Sequence, residues 1–365
     1  MLFYRLMSSI RNATSLQLIT GWFGFLQNKK TRWIEDPKLA SELLAATADK
    51  GDFIEKWVAM PAWKPILSLE SVNGEQWARM KKEFYVLAQH LRPVEELEAI
   101  AKELTLTAIN SNDTIGSKTV SLLAFKAMTI WLFDVEFKDE WMFLLDAVEE
   151  WRMEIAMKGQ GDVALKNKVI DWLLDVLESS RYNKLYPADY WKEPEHYSLF
   201  LQPFLISPSI NVADIGITIH RNPGLYHRDK ITDLITFSHP FPVLERFFPE
   251  GHRDKSGAVV VEPNTQVFFD MNVQKGKWAA FSLGSRACAG RKIAISLIAG
   301  IFEPITDSAL HKFHPAHMYS GRDNDNNDNL ATVIYQVRRL AAISLGIFCE
   351  MAGLIWAKYS GGKDI

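Results

Sequence analysis

The chain has 365 residues, 48% hydrophobic and 23% charged, with a net charge of −3 and both signs interspersed. That is enough apolar material for a large core in one large domain or two, and no basic stripe marks a nucleic-acid partner. Only two cysteines occur, Cys288 and Cys349; disulfide stapling is therefore excluded as the organising principle, and a reducing, intracellular compartment is expected.

The first 26 residues are apolar-rich, but Arg5 and Arg11 interrupt them. They form neither a clean signal peptide nor a spanning helix, and Leu16–Leu26 leaves a peripheral membrane contact open. Asn12–Thr14 and Asn112–Thr114 fit the glycosylation triplet, which also occurs by chance in cytosolic chains. Asp36-Pro37 followed by 38–46 reads as a helix with Asp at its cap and Pro in its first turn. Asn73-Gly74-Glu75-Gln76-Trp77 opens a second helix that runs to Ala88. Helical patterns follow at 95–108, 122–133, 140–158 and 167–178, with Gly159-Gln160-Gly161 between the last two.

The segment 187–208 holds four prolines and reads as loop or broken helix. A short helix fits 210–220 and stops at Asn222-Pro223-Gly224. The stretch 237–251 is rich in Pro and aromatics and reads as irregular. Strands are expected at 258–262 and 265–269, and a helix at 293–302. The prediction is mainly α with a small β portion, with neither a strand–helix alternation nor a Gly-rich phosphate loop. Near the end, 340–357 carries one charge, Glu350, in 18 residues; a buried hydrophobic helix is favoured over a barely sufficient membrane span.

One run stands apart: Phe281-Ser-Leu-Gly284-Ser-Arg286-Ala-Cys288-Ala-Gly290, just before the apolar helix. Unpaired N–H groups and the dipole at a helix start favour an anionic sulfur. Such a thiolate can be the single protein ligand of a haem iron and favours O–O cleavage. Gly284 can take the positive φ of a tight turn. Arg286 can offer a fork of donors to a propionate. Gly290 allows backbone to approach a porphyrin plane, and Phe281 can keep water from the sulfur.

The spacing Phe-x-x-Gly-x-Arg-x-Cys-x-Gly resembles the haem-ligand loop of cytochromes P450. Asp36–Ala46 is similar to an early helix of that family, and Gly74-x-x-Trp77-x-x-x-Lys81 to its Gly-x-x-Trp-x-x-x-Arg helix, with lysine for arginine. Trp77 and Lys81 lie four apart, so both could donate to a propionate. Pro242-Val-Leu-Glu245-Arg246-Phe247 resembles the family's aromatic meander. The resemblance implies haem b (iron protoporphyrin IX) on Cys288 and insertion of one oxygen atom from O2 into a small apolar molecule. It also implies electrons from an NADPH-dependent reductase, and an endoplasmic-reticulum location is an expectation of the same kind. The stretches 149–177 and 201–218 look like fungal P450s of secondary metabolism.

Two departures qualify what the resemblance implies. The family's Glu-x-x-Arg helix is not found: Glu149–Arg152 falls too early, and Glu250–Arg253 sits on a Pro/Gly-flanked loop. The oxygen-activating helix has one candidate, Asp214 and Thr218, whose residues share a face but whose glycine spacing differs from the family pattern. The expectation is thus a single P450-like domain over 1–365, shortened in its centre. Within it, 1–35 is a candidate membrane-associated segment and 303–365 an atypical extension. The alternative is a degenerate P450-like protein that binds haem, or serves as a scaffold, without turnover.

Other constellations carry less. His311, His314 and His317 are poorly aligned for a metal, with Pro315 between them. Asp323, Asp325 and Asn327 mimic half a calcium loop, but Asp328 stands where Gly is needed and Ile334 where Glu is needed.

Overall fold

The computed structural model describes residues 28–51, 64–111, 115–148, 162–187, 189–221, 223–237, 243–271, 279–305 and 313–314, with a few isolated positions. The expectations for Leu16–Leu26, Asn12–Thr14, Asn112–Thr114, 149–161, His311, His317, 323–329 and 340–357 lie outside the described residues. The described residues form two compact units: 28–51, 243–271 and 279–288 make the first, and 64–237 with 289–314 the second.

The first unit is built on a three-stranded sheet. Strand β1 (Lys30–Ile34) pairs in parallel with β6 (Thr265–Asp270), and β6 pairs antiparallel with β3 (Val243–Phe248). As the central strand, β6 is buried along its whole length, its apolar centre Val267–Phe269 flanked by the buried polar residues Thr265, Gln266 and Asp270. Helix α1 (Pro37–Ala46) begins as its sequence dictates: Pro37 opens the first turn, and the Asp36 carboxylate accepts from the Leu39 N–H at 2.7 Å. Its Ala40, Leu43 and Leu44 pack with Ile34, Val267, Phe269 and Met271 in one core. A hairpin of β4 (His252–Arg253) and β5 (Val259–Val261) completes the unit. Glu250–Arg253 is thus turn and strand, as its glycine and proline neighbours imply.

The second unit is helical. Helices α2 (Gly74–Ala88), α3 (Val94–Asn110), α4 (Ser117–Phe133) and α5 (Val163–Ser179) match the expected helices and extend most of them by a residue or a turn. Helix α5 starts early because Asp162 caps it, accepting from the Leu165 N–H at 2.9 Å. Of the expected 140–158 helix, the described part holds a 3-10 turn at Asp139–Trp141 and a helical turn over 143–148. A short helix α8 (Ile231–Phe237) was not expected, and β7 (Phe313–His314) pairs in parallel with β2 (Ile115–Gly116). Helix α9 (Arg291–Phe302) lies against α3. The approach is close at Gly300, where a Cβ would meet the Glu98 carbonyl oxygen at 2.5 Å and the Ala101 Cβ at 2.7 Å. Arg228 pairs with both Glu98 (2.5 Å) and Glu303 (3.2 Å), linking the same two helices at the surface.

Two expectations are corrected. Residues 194–208 are not a loop or a broken helix: after a 3-10 turn at Tyr190–Lys192, helix α6 (Pro194–Phe200), a π-helical segment (Leu201–Ile206) and α7 (Ser207–Arg221) run on without a break. Pro194 sits in the first turn, where a missing N–H costs little. Pro203 lies within the π segment, where the ladder has already shifted; the Ser207 N–H reaches the Gln202 carbonyl. Ser209 Oγ then donates to the Leu205 and Ile206 carbonyls, both at 2.9 Å. The chain meets its prolines by changing register instead of ending. The second correction concerns 237–251. Val243–Phe248 is strand β3, not an irregular meander, because pairing with β6 supplies its backbone partners from twenty residues away.

Candidate haem-thiolate site

The cysteine loop belongs to the first unit. Phe281 is buried and its carbonyl accepts the Cys288 N–H at 2.7 Å. Between them Ser282 (φ 58°) and Gly284 (φ 69°) both take left-handed backbone. Gly284 opens a 3-10 turn to Arg286, closed by the Ala287 N–H on the Gly284 carbonyl at 3.1 Å. Only glycine fits there: a Cβ would lie 2.8 Å from both the Ala45 Cα and the Leu44 carbonyl oxygen. Arg286 is buried, and its Nε donates to the Ala48 carbonyl at 2.6 Å. The loop is therefore seated against the end of α1 at Gly284 and Arg286 and closed on itself at Cys288. Cys288 is exposed.

In the second unit, Gly290 stands at the N-cap of α9 with φ −83°, and its carbonyl accepts the Ala294 N–H at 2.9 Å.

Trp77 and Lys81 lie on α2. Met80, Phe84 and Leu87 form the buried face of that helix. One flank is tied to the 190–195 region: Gln76 Nε2 and Arg79 NH2 donate to Glu195 at 3.1 and 3.0 Å, and the Tyr190 hydroxyl donates to Glu83 at 2.6 Å. The hydrogen bond from Arg79 holds the Glu195 carboxyl below the ordinary carboxylate range, against the effect of burial. Burial first, and then the bond to Glu83, raise the Tyr190 phenol. Trp77 and Lys81 are half-buried, with the Lys81 ammonium 4.9 Å from the Trp77 ring centroid and 5.6 Å from that of Tyr85. Tyr85 was not among the expected site residues, although its spacing, four beyond Lys81 and eight beyond Trp77, was readable.

Asp214 and Thr218 sit one turn apart on α7, Asp214 half-buried and Thr218 buried. The Thr218 hydroxyl donates to the Asp214 carbonyl at 3.3 Å, a back-bond along its own helix.

The donor chemistry of the loop suits a haem iron. One exposed sulfur stands on a backbone-closed loop beside a buried phenylalanine, and among the described residues no group of three or more His, Cys, Asp or Glu side chains competes as a metal site. His314, the described member of the histidine triplet, lies in β7.

No protein-family profile matches the chain, and no curated protein matches it in sequence. Solved structures do match in fold. Cytochrome P450EX alpha, solved with myristic acid, aligns with a TM-score of 0.54 and 13% identity over 76% of this chain and 80% of its own. Cytochrome P450SP alpha, in complex with (R)-ibuprofen, gives 0.51 and 13% over 76% and 83%. A six-coordinated cytochrome P450 from Thermus thermophilus gives 0.50 and 12% over 74% and 83%. The fold is mainly α with a small β portion and is P450-like. Among the described residues no helix is long and apolar enough to cross a membrane.

Proposed function

We propose that the chain is a haem-thiolate monooxygenase acting on a small apolar molecule. The observation that carries this reading is the exposed Cys288 on a loop closed by its own backbone, in a chain of P450-like fold. Haem b, when bound, supplies the activation of O2: one oxygen atom enters the substrate and the other leaves as water, with two electrons from an NADPH-dependent reductase.

The chain's own residues do the rest. Cys288 holds the iron as a thiolate, and Phe281 keeps water from the sulfur. Arg286, Trp77 and Lys81 hold the propionates by charge and hydrogen bonds. Gly284 and Gly290 let backbone come close. Asp214 and Thr218 hold and pass protons at the Asp214 carboxylate and the Thr218 hydroxyl. A fold neighbour solved with myristic acid supports an apolar substrate. Peripheral membrane contact, an endoplasmic-reticulum location and a place in secondary metabolism belong to the same reading and rest on the sequence resemblance.

A second reading, a haem-binding protein without turnover, draws support from the Thr218 hydroxyl, which is engaged by its own helix. The test is the absorption spectrum of the reduced, CO-bound protein. A Soret band at the thiolate position is expected for the native chain and lost in Cys288→Ser. An unchanged spectrum in Cys288→Ser overturns the assignment. A thiolate band without substrate turnover, across a panel of apolar acids and hydrocarbons with a competent reductase, selects the second reading.

A further inference from the structure

Lysine at position 81 poses a physical problem for the reading above, on which this inference rests. A lysine ammonium is a point charge on a flexible four-carbon stem and lacks the rigid fork of arginine. Left alone, such a side chain loses much rotamer freedom when it is fixed on a carboxylate. Here it is not alone. Trp77, Lys81 and Tyr85 follow one another at intervals of four on α2 and so share one face of the helix. The ammonium lies 4.9 Å from the Trp77 centroid on one side in sequence and 5.6 Å from the Tyr85 centroid on the other. Both distances fall within the range of cation–π attraction, about 6 Å. Two rings therefore restrict the positions the ammonium can take.

We propose that Tyr85 is the positioning residue for Lys81: with Trp77 it forms a two-ring cradle that pre-orients the ammonium for a carboxylate of the cofactor, a porphyrin propionate. The pre-orientation supplied by the guanidinium fork elsewhere is supplied here by a neighbouring ring. Tyr85 itself is 49% exposed, so its ring contributes little to the core. This permits a clean test, because its replacement leaves the fold in place.

The experiment measures the rate of haem transfer from the ferric full-length protein to excess apomyoglobin. It compares the native chain, Tyr85→Leu, Tyr85→Phe, Lys81→Met and the Tyr85→Leu/Lys81→Met pair. Tyr85→Leu is expected to lose haem about two- to fivefold faster, the size of a partly exposed cation–π contact. Tyr85→Phe, which keeps the ring, is expected to behave as the native chain. In the Lys81→Met background Tyr85→Leu is expected to add nothing, since the cycle isolates the coupling of the two side chains. Equal acceleration by Tyr85→Leu in both backgrounds, or none with Lys81 present, overturns the cradle while leaving haem ligation standing. A native chain whose reduced CO complex lacks the thiolate band fails earlier and takes both readings down. Urea midpoints of the five proteins, expected to agree, show that the change is not one of folding.

Discussion

The cysteine loop and the helix through Leu201–Ile206 answer difficult local sequence in opposite ways. In the loop, two left-handed residues, a 3-10 turn and a backbone hydrogen bond compress the chain between Phe281 and Cys288. Gly284 there sits against α1 with no room for a side chain. In the helix, Pro203 and Pro208 should break the ladder, yet the chain shifts into π register and the Ser209 hydroxyl reaches two of the carbonyls. One region works only with a particular residue. The other tolerates residues that ought to disrupt it. The difference is where the constraint lies, in close tertiary contact for the loop and in local hydrogen bonding for the helix.

Substitutions can break that comparison. Gly284→Val is expected to be the most damaging, because it adds a strained positive φ to a clash with the backbone of Leu44 and Ala45; a loss of about 3 kcal/mol or more should appear in urea unfolding, with loss of haem retention. Ala213→Pro, placed in the regular part of α7, should cost about 3 kcal/mol. Pro203→Ala, within the π segment, should change stability by less than about 1 kcal/mol, because that register already does without the proline N–H. If the two proline changes cost the same, the register argument is wrong. Gly300→Ala should cost about 1–3 kcal/mol by pushing α9 off α3, again by denaturant midpoint.

The smallest effect concerns the flank of α2. The Glu195 carboxyl is held below its ordinary value by Arg79, so the pair contributes stability above the unfolded carboxylate pKa. That contribution fades as pH falls through the lowered folded value. Arg79→Ala should flatten the difference in unfolding midpoint between neutral and acidic pH. An unchanged pH profile would show that the exposed pair contributes nothing.

The legibility of the chain followed the same division. The tight turn at Gly284 was readable because its signal lies in ten contiguous residues, and the cap at Asp36 because capping is a local hydrogen bond; the cap at Asp162, equally local, was not read. Strand β3 was not readable: its order comes from β6, and its Glu245 and Arg246 are both buried, against the usual placement of charge. The helix across Pro203 was missed because a proline reports a missing N–H and says nothing of what replaces it. Tyr85 was missed because its signal is a spacing relative to Lys81, and that spacing matters only once a cation is being asked to stand still.

The contact that fixes Cys288 joins an amide to a carbonyl. A clasp made from main-chain atoms places no demand on the identities of most side chains it encircles. Ser285 and Ala287 can therefore drift without moving the sulfur. A loop held in this way is compatible with a P450-like fold at 12–13% identity to the solved structures.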